Sequence, residues 1–220
     1  MTMTTRRVGR ATRLWNLITF PVRAAVVLQR DIFGMQSLRS ERLSYVAEEV
    51  RGRTLDVGCG PGDAFVREWL NGNGTGIDVY QYEGLDVGQV VEDMTQLPFN
   101  DGEFDTVTLI AAINHIPEPL RADQLAELHR VTSIGGQIIV TMAAPLAEVV
   151  VHNVLHRYTD WFGVHQDMDG ERGMEDEEDY YVRDEEIVEL LVSAGFSGVR
   201  VRRFWSQWGV NKMFLATRRA

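Results

Sequence analysis

The stretch Leu55-Asp56-Val57-Gly58-Cys59-Gly60-Pro61-Gly62 carries most of the information about the fold. It continues a short apolar run, Thr54–Val57, that is typical of a buried strand, and it leads into a segment with helical spacing. Three glycines at alternate positions let the backbone turn sharply and approach a ligand without interference from Cβ atoms. The stretch therefore predicts a ligand-binding turn at the carboxyl end of the first strand of an open α/β sheet.

The glycine spacing argues against a dinucleotide as the ligand. A dinucleotide fingerprint reads G-x-G-x-x-G and would need its third glycine at position 63, where this chain has Asp63. A carboxylate at the start of the following helix would repel a pyrophosphate, and Asp56 adds negative charge at the same place. The turn therefore favours a cationic or zwitterionic ligand.

Strand and helix patterns alternate along the chain. Near-continuous apolar runs predict strands that are buried on both faces, and their alternation with helices predicts a parallel sheet with right-handed crossovers. A Gly135-Gly136 pair predicts a turn into one strand, and the last two strands predict a hairpin. The predicted strands are Thr54–Val57, Thr75–Val79, Phe104–Ala111, Gln137–Met142, Gly198–Phe204 and Asn211–Thr217; the predicted helices are Ser37–Val50, Asp63–Leu70, Leu120–Val131 and Asp184–Ala194.

Charge is distributed unevenly over the 220 residues, whose formal net charge is -10. Residues 1–53 contain ten arginines and four acids, whereas residues 54–220 contain 12 basic and 28 acidic residues. The acidic balance argues against a general nucleic-acid-binding protein, because phosphate contacts need a basic surface. The run from Asp167 to Glu186 holds eleven acids, and its first part, Asp167 to Asp179, predicts a solvated loop, with a lid or a partner-binding strip as the alternative.

The first 30 residues contain six arginines and no acid, mixed with apolar side chains. This composition is typical of a helical flap packed on the domain, or of a basic amphipathic helix pair that makes peripheral contact with a membrane. Pro21 and Arg23 interrupt the apolar face, which favours the packed flap. We expect an N-terminal helical cap over 1–52 and a second domain over 53–220, with an inserted helical and acidic segment at 145–183.

Apolar run lengths, the cysteine count and the histidine spacing limit where the protein can be located and which metal or disulfide sites it can form. No apolar stretch reaches the length of a membrane span and no signal peptide is evident, so we expect a cytoplasmic protein. A single cysteine, Cys59, excludes an internal disulfide and a cysteine-based zinc cage. His152 and His156 are spaced i, i+4, but no Glu follows His152, and no metal site is predicted.

Two acids beyond the glycine turn suit the recognition of a nucleoside. Asp78 ends the second predicted strand, where a carboxylate can accept both hydroxyls of a ribose, although a strand-end cap is an alternative. Asp93 follows Val90-Val91, where a carboxylate can accept a hydrogen bond from an adenine amino group, although loop solvation is an alternative. The glycine turn and Asp78 together favour the functional interpretation.

With these motifs in this order, the sequence resembles a class I S-adenosylmethionine-dependent methyltransferase, of the type 11-like group that includes small-molecule and quinone methylases. The resemblance covers roughly Arg53 to Met142, and more loosely the preceding helix and the C-terminal hairpin. Asn100 departs from the pattern, because relatives often have Asp there, and the segment 145–183 has no common pattern that names a substrate. The matching stretches are Asp56–Gly62, Asp78, Asp93-Met94, Leu97-Pro98-Phe99, Asp101–Val107 and Arg130–Ile139.

The resemblance implies a Rossmann-like, doubly wound sheet of seven strands whose last strand is antiparallel, with helices on both faces. It implies S-adenosyl-L-methionine as the cofactor and in-line transfer of its methyl group to a small-molecule acceptor. The glycines would cradle the methionine part, Asp56 would face its amino group, and Asp78 would hold the ribose. The implied cofactor-binding residues are Asp56, Gly58, Cys59, Gly60, Gly62, Asp78, Val79, Asp93, Met94 and Ala111.

His115 is the candidate general base. It lies just past the strand at Phe104–Ala111, in the place that faces the transferred methyl group in the resembling family, and an imidazole titrates near neutral pH. A loop histidine that shapes the pocket is the alternative. Two other functions stay open: a peripheral-membrane methyltransferase acting on a lipid or quinone-like acceptor, and a non-catalytic nucleotide-binding protein with the same fold. The sequence leaves the oligomeric state open.

Overall fold

A computed structural model describes residues 8–26, 30–143 and 181–220 of the chain. Residues 1–7, 27–29 and 144–180 lie outside the described residues. The prediction of a solvated acidic loop from Asp167 and the histidine pair His152 and His156 fall in this part, as does most of the predicted insertion 145–183.

Within the described residues, six strands form one sheet and four α-helices pack around it. Short 3-10 turns cover Pro61–Asp63, Val87–Gln89, Ile113–His115 and Trp205–Gln207, and one π-helical turn covers Phe65–Trp69. The strands are β1 (Thr54–Val57), β2 (Thr75–Ile77), β3 (Phe104–Ile110), β4 (Thr132–Ala143), β5 (Phe196–Arg203) and β6 (Asn211–Arg218); the α-helices are α1 (Arg10–Val26), α2 (Leu38–Glu49), α3 (Glu118–Val131) and α4 (Asp184–Ser193).

The strand order is β2-β1-β3-β4-β6-β5, with β1 to β4 parallel and β6 inserted antiparallel between β4 and β5. The predicted α/β class and the antiparallel C-terminal strand are therefore confirmed. Because the parallel strands end on one side, the loops after them share what we call the carboxyl edge of the sheet. The hairpin turn between β5 and β6 lies there too, since Asn211 at the start of β6 pairs with Ala143 at the end of β4.

The seventh strand of the expected set is reduced to a single parallel bridge between Asp78 and Val90. The chain enters this bridge from the 3-10 turn Val87–Gln89. It then turns away at Asp93, whose carboxylate accepts hydrogen bonds from the backbone N–H and the hydroxyl of Thr95. Too few extended residues remain between the two turns to form a strand.

Two further elements differ from the sequence prediction. The segment predicted as the helix Asp63–Leu70 is a 3-10 turn followed by the π-helical turn, because positive φ angles at Gly62 and Asp63 interrupt regular winding. Strand β4 begins five residues before the predicted strand, at Thr132, and contains Gly135-Gly136. A register shift against β3 accommodates this glycine pair, which bulges within the strand and does not precede it.

The sheet is covered on both faces, as its apolar strands predict. Ile138 and Val140 of β4 belong to a buried cluster with residues of α3 and α4, whereas Ile139 belongs to a second cluster with residues of α2. Successive side chains of a strand point to opposite faces, so a strand between two helical layers needs apolar residues at every position.

Helix α1 packs against the 3-10 turn of the C-terminal hairpin. Much of this contact is polar. The fully buried carboxylate of Glu41 in α2 accepts hydrogen bonds from Arg23 (2.6 Å) and Asn16 (2.8 Å) of α1 and from Ser206 (2.6 Å) of the hairpin turn. Helix α2 begins after Ser37, whose hydroxyl accepts from the backbone N–H of Ser40 as an N-cap. Among the helices in the described ranges, none has the length and apolar character that a membrane span needs.

Candidate cofactor-binding and active site

The loop after β1 is fixed to the end of β2. The backbone N–H groups of Gly58 and Cys59 both donate to the carbonyl oxygen of Ile77, over 2.9 and 3.1 Å. Gly58 has a φ of +72°, and a Cβ there would lie 2.8 Å from the Cβ of Ala112. Glycine is therefore required at this position by both conformation and space. The loop after β1 consequently touches the loop after β3, which carries His115.

Gly60 and Gly62 border open space. Both have positive φ angles, +67° and +70°, and a Cβ added to either would meet no atom of the described residues within 4 Å. Their glycine character therefore serves the backbone turn, and the space above the turn is left clear. This is the backbone arrangement expected of a turn that a ligand approaches closely.

Asp78 joins the two loops at the carboxyl edge. Its carboxylate is buried at 5% exposure and accepts hydrogen bonds from the backbone N–H of Gly60 (2.9 Å) and of Tyr80 (3.1 Å). The bond to Tyr80 is the strand-end cap considered from the sequence, and the bond to Gly60 brings the carboxylate to the glycine turn. Val79, the next residue, is 42% exposed at this edge.

Asp56 is buried beneath the glycine turn. It is 2% exposed, and its Oδ1 accepts a hydrogen bond of 2.6 Å from the hydroxyl of Thr108 in β3. Burial raises the pKa of Asp56 to about 7, and the carboxylates of Asp63 and Asp78 raise it as well, while the Thr108 hydrogen bond lowers it. Near neutral pH this carboxyl group is therefore poised between its neutral and charged forms.

Asp63 is the third carboxylate next to the turn. It is buried, has a φ of +48°, and its Oδ2 accepts a hydrogen bond of 3.1 Å from the side chain of Gln89. Burial raises its pKa. A Cβ at Gly76 in β2 would overlap the Asp63 carboxylate, so Gly76 provides the space in which Asp63 sits.

Cys59 lies inside this acidic environment. It is a buried free cysteine. Burial, followed by the charges of Asp56, Asp63 and Asp78, raises the pKa of its thiol. A thiol with a raised pKa is neutral and a poor nucleophile, so the residue fills space in the turn.

Asp93 and Met94 lie at the edge of the same region. Asp93 is exposed and its carboxylate is engaged by Thr95, whose hydroxyl and backbone hydrogen bonds lower the pKa of Asp93. Met94 is buried in the core and offers only its backbone to a ligand. The Asp93 carboxylate therefore caps a turn just after the shortened strand.

His115 lies in the loop after β3. Ala111, the first residue after β3, has a φ of +54° and donates its backbone N–H to the hydroxyl of Thr141 over 2.9 Å. This backbone turn leads into the 3-10 turn Ile113–His115, where His115 is half-buried. Because Ala112 lies against Gly58, the turn that carries His115 adjoins the glycine turn.

Sequence reasoning identified the turn, Asp56 and Asp78 but assigned no role to Thr108, Gly76 or Gln89. A glycine inside a strand signals close approach of another group, and that signal was present at Gly76. No local sequence pattern marks Thr108 or Gln89, because their roles depend on contacts between segments that are distant in the chain.

Three carboxylates beside an open glycine turn suit a ligand that carries sulfonium and ammonium charges, so these residues fit S-adenosyl-L-methionine.

Comparison with known proteins finds similarity to methyltransferases. Residues 55–140 match the family model described as a methyltransferase domain. Demethylmenaquinone methyltransferase of Staphylococcus aureus (strain JH9) is 28% identical over 176 residues, which cover 69% of this chain and 70% of that protein.

Solved structures share the fold. A SAM-dependent methyltransferase from Methanosarcina mazei has 20% identity and a TM-score of 0.53, covering 80% of this chain and 97% of its own. The 4+2 cyclase SpnF has 17% identity and a TM-score of 0.56, covering 99% of this chain and 98% of its own. The family model matches residues 55–140, and the solved structures show that the chain has the fold found in S-adenosylmethionine-dependent methyltransferases.

Proposed function

We propose that the protein transfers the methyl group of S-adenosyl-L-methionine to a small-molecule acceptor. The observation that carries this proposal is the convergence of Asp56, Asp63 and Asp78 on a glycine turn that borders open space. Carboxylates placed together repel one another, and a ligand with two positive charges would offset that repulsion.

Each residue would then have a defined task. Asp78 would accept hydrogen bonds from the ribose hydroxyls, Asp56 would face the ammonium group, and the backbone of Gly60 and Gly62 would lie along the methionine part. The backbone of Met94 would meet the adenine. Gly58, Cys59, Val79, Asp93 and Ala111 would complete the wall of the site.

The bound cofactor would supply a sulfonium whose methyl carbon is open to in-line displacement. The chain would contribute by orienting the acceptor and excluding water, since a held geometry replaces a bimolecular encounter. His115 follows the Ala111–Ala112 turn that adjoins Gly58, so it would face an acceptor placed over the glycine turn. If the acceptor atom carries a proton, the imidazole would take it.

Transfer of label from methyl-labelled cofactor into a cell extract tests the activity. We expect one or a few labelled small molecules with the wild type and none with Asp78→Ala. Saturable cofactor binding without any labelled product would favour the non-catalytic nucleotide-binding alternative. The cyclase with a similar fold shows that this architecture is also found in a protein named for other chemistry.

A second candidate acceptor is a lipid-soluble quinone-like molecule. The 28% identity to a protein named demethylmenaquinone methyltransferase supports it. Separating the labelled extract into organic and aqueous phases distinguishes the two candidates. Label in the organic phase would favour the lipid-soluble acceptor, and label in the aqueous phase would exclude it.

A further inference from the structure

Helix α1 is oriented with polar side chains inward and apolar side chains outward. Arg13, Asn16 and Arg23 are buried together with Phe20. An ordinary surface helix does the reverse, because burial of its apolar stripe supplies most of its stabilisation. On the outer side, more than half of each apolar side chain is exposed: Leu14 (53%), Trp15 (53%), Ile18 (65%) and Val22 (54%). We call these four residues the outer face of α1.

Hydrogen bonds fix this orientation. Arg23 donates to Glu41 (2.6 Å), to the carbonyl oxygen of Gln36 (2.6 Å) and to the carbonyl oxygen of Asn16 (2.9 Å). Arg13 forms ion pairs with Glu41 and, over 2.7 Å, with Glu48. Turning α1 to bury its apolar residues would leave Glu41 as an unpaired buried charge, which is strongly unfavourable. The outer face is therefore a built feature of the fold.

The proline within α1 is also accommodated in this orientation. Pro21 has no backbone N–H, so it cannot donate to the carbonyl oxygen of Leu17. The indole N–H of Trp208 donates to that oxygen over 3.1 Å, and its ring lies 5.2 Å from the ring of Phe20. Trp208 is 61% exposed and Trp205, in the same hairpin turn, is 48% exposed. Two exposed tryptophans thus adjoin the helix.

The chain segment that contains α1 is basic. Residues 1–30 contain six arginines and no acid. Arg13 and Arg23 are used in the buried ion pairs, whereas Arg10, at the first position of α1, and Arg30, beyond its end, are exposed. Apolar side chains, tryptophan and arginine together match the chemistry of an anionic lipid surface: apolar groups enter the boundary, indoles sit at headgroup level and arginines meet phosphates.

We propose that the outer face of α1 docks on an anionic lipid surface. A second copy of the chain is a poorer occupant, because a two-fold contact would bring two acid-free, arginine-bearing segments together. Since α1 packs on the hairpin turn at the carboxyl edge, docking would place that edge of the sheet next to the lipid. The proposal concerns binding alone and does not depend on methyl transfer.

Co-sedimentation of the full chain with vesicles tests the proposal. We expect binding to vesicles of phosphatidylcholine mixed with phosphatidylglycerol, weaker binding to phosphatidylcholine alone, and weaker binding at high salt. The double variant Trp15→Ser/Ile18→Ser should lose at least about tenfold in affinity, because two exposed apolar groups no longer enter the lipid. Arg10→Glu should lower the affinity for the mixed vesicles and leave that for phosphatidylcholine vesicles unchanged.

Ile134→Ser is the matched control. Ile134 is 69% exposed and lies in β4, near the opposite edge of the sheet from the hairpin turn, so its loss should not alter vesicle binding. All variants change exposed side chains, and circular dichroism melting confirms that each is folded. Absence of wild-type binding to mixed vesicles would overturn the proposal, as would equal losses in Ile134→Ser and the double variant. Dimerisation abolished by the double variant, without vesicle binding, would assign the face to a second copy.

Discussion

The backbone N–H of Gly60 donates a hydrogen bond of 2.9 Å to Oδ2 of Asp78. This bond joins the middle of the glycine turn to the end of β2, so the two segments that the proposed function places around one cofactor are connected by the acid assigned to the ribose. The carboxylate has a second oxygen that accepts from Tyr80, which fixes its orientation. Asp78 therefore shapes the turn and holds a carboxyl group directly beside it.

Asp78→Ala should weaken the binding of S-adenosylhomocysteine by at least about tenfold, since hydrogen bonds to a charged group contribute roughly 1.5–3 kcal/mol. His115→Ala should leave that affinity unchanged. Isothermal titration calorimetry of both variants gives the comparison, with thermal melting as the control for folding. Equal losses in the two variants would contradict the assignment of Asp78 to the cofactor.

His115→Ala should lower turnover by roughly a hundredfold or more when the acceptor atom carries a proton that must be removed, since general base catalysis typically contributes that much. The measurement is the initial rate of methyl transfer at saturating cofactor, once the labelled acceptor is identified. His129, which packs edge-on against the ring of Phe196 away from the glycine turn, is the comparison histidine. Turnover that is unchanged in His115→Ala would exclude the base role.

Cofactor affinity should rise with pH through the region of about 7. Burial raises the pKa of Asp56 to about 7 in the free protein, and a nearby ammonium favours the charged carboxylate, so binding is coupled to loss of a proton. Calorimetric titration in buffers of different ionisation enthalpy detects that proton release. Asp56→Asn should remove the pH dependence; a variant that keeps it would assign the effect to another group.

The raised pKa of Asp56 also predicts how the stability of the protein changes with pH. An unfolded aspartate titrates near pH ~3.9, so the folded protein holds this proton more tightly than the unfolded chain. The stabilising contribution of Asp56 is therefore complete below pH ~4 and is lost as pH rises through about 7. The free energy of unfolding in urea, measured for wild type minus Asp56→Asn, should fall across this interval.

Gly76→Ala should destabilise the protein by about 1–3 kcal/mol, because the new methyl group overlaps the Asp63 carboxylate. In an Asp63→Ala background the same change should cost less, since the overlapping atoms are gone. Urea unfolding of the two single variants and the double variant measures this coupling. Gly88→Ala is the control, because within the described part of the chain a Cβ at Gly88 meets no atom closer than 4 Å. Additive effects of Gly76→Ala and Asp63→Ala would contradict the contact.

Arg23→Ala should destabilise the fold by about 3–5 kcal/mol, because it leaves the buried Glu41 carboxylate without its closest cation. The matched control is Arg53→Ala, which removes an ion pair to Glu103 in which the arginine side chain is 66% exposed, and it should cost at most about 1 kcal/mol. Urea unfolding measures both variants. Similar small losses in the two would show that the buried network does not hold α1 in place.

Local patterns in the sequence predicted the parts of the site that depend on local conformation. Glycines at alternate positions after a strand require a sharp turn, and the acids at the ends of β1 and β2 meet because parallel strands finish at one edge. The predicted strand Thr54–Val57 has the bounds that the structure shows. The sequence did not predict the side chains that hold these acids, because those contacts are long-range. The hydrogen bond from Thr108 to Asp56 spans 52 residues, and the one from Gln89 to Asp63 spans 26.

The orientation of α1 could not be predicted for the same reason. The sequence shows that Arg23 interrupts an apolar face, and the usual rule then places the apolar side inward. The structure reverses this, because Glu41 and Ser206, which lie 18 and 183 positions after Arg23 in the chain, form a buried polar partner for the arginine side. A pattern within one helix contains no information about such a partner.

Calorimetric titration of the full chain with S-adenosylhomocysteine tests whether the glycine turn and its carboxylates form a cofactor site. We expect saturable binding at ligand concentrations well below millimolar. Asp78→Ala should weaken this binding, and Ile134→Ser should not. No binding of S-adenosylhomocysteine or S-adenosyl-L-methionine at millimolar concentration to the folded protein would contradict the site and the function proposed for it.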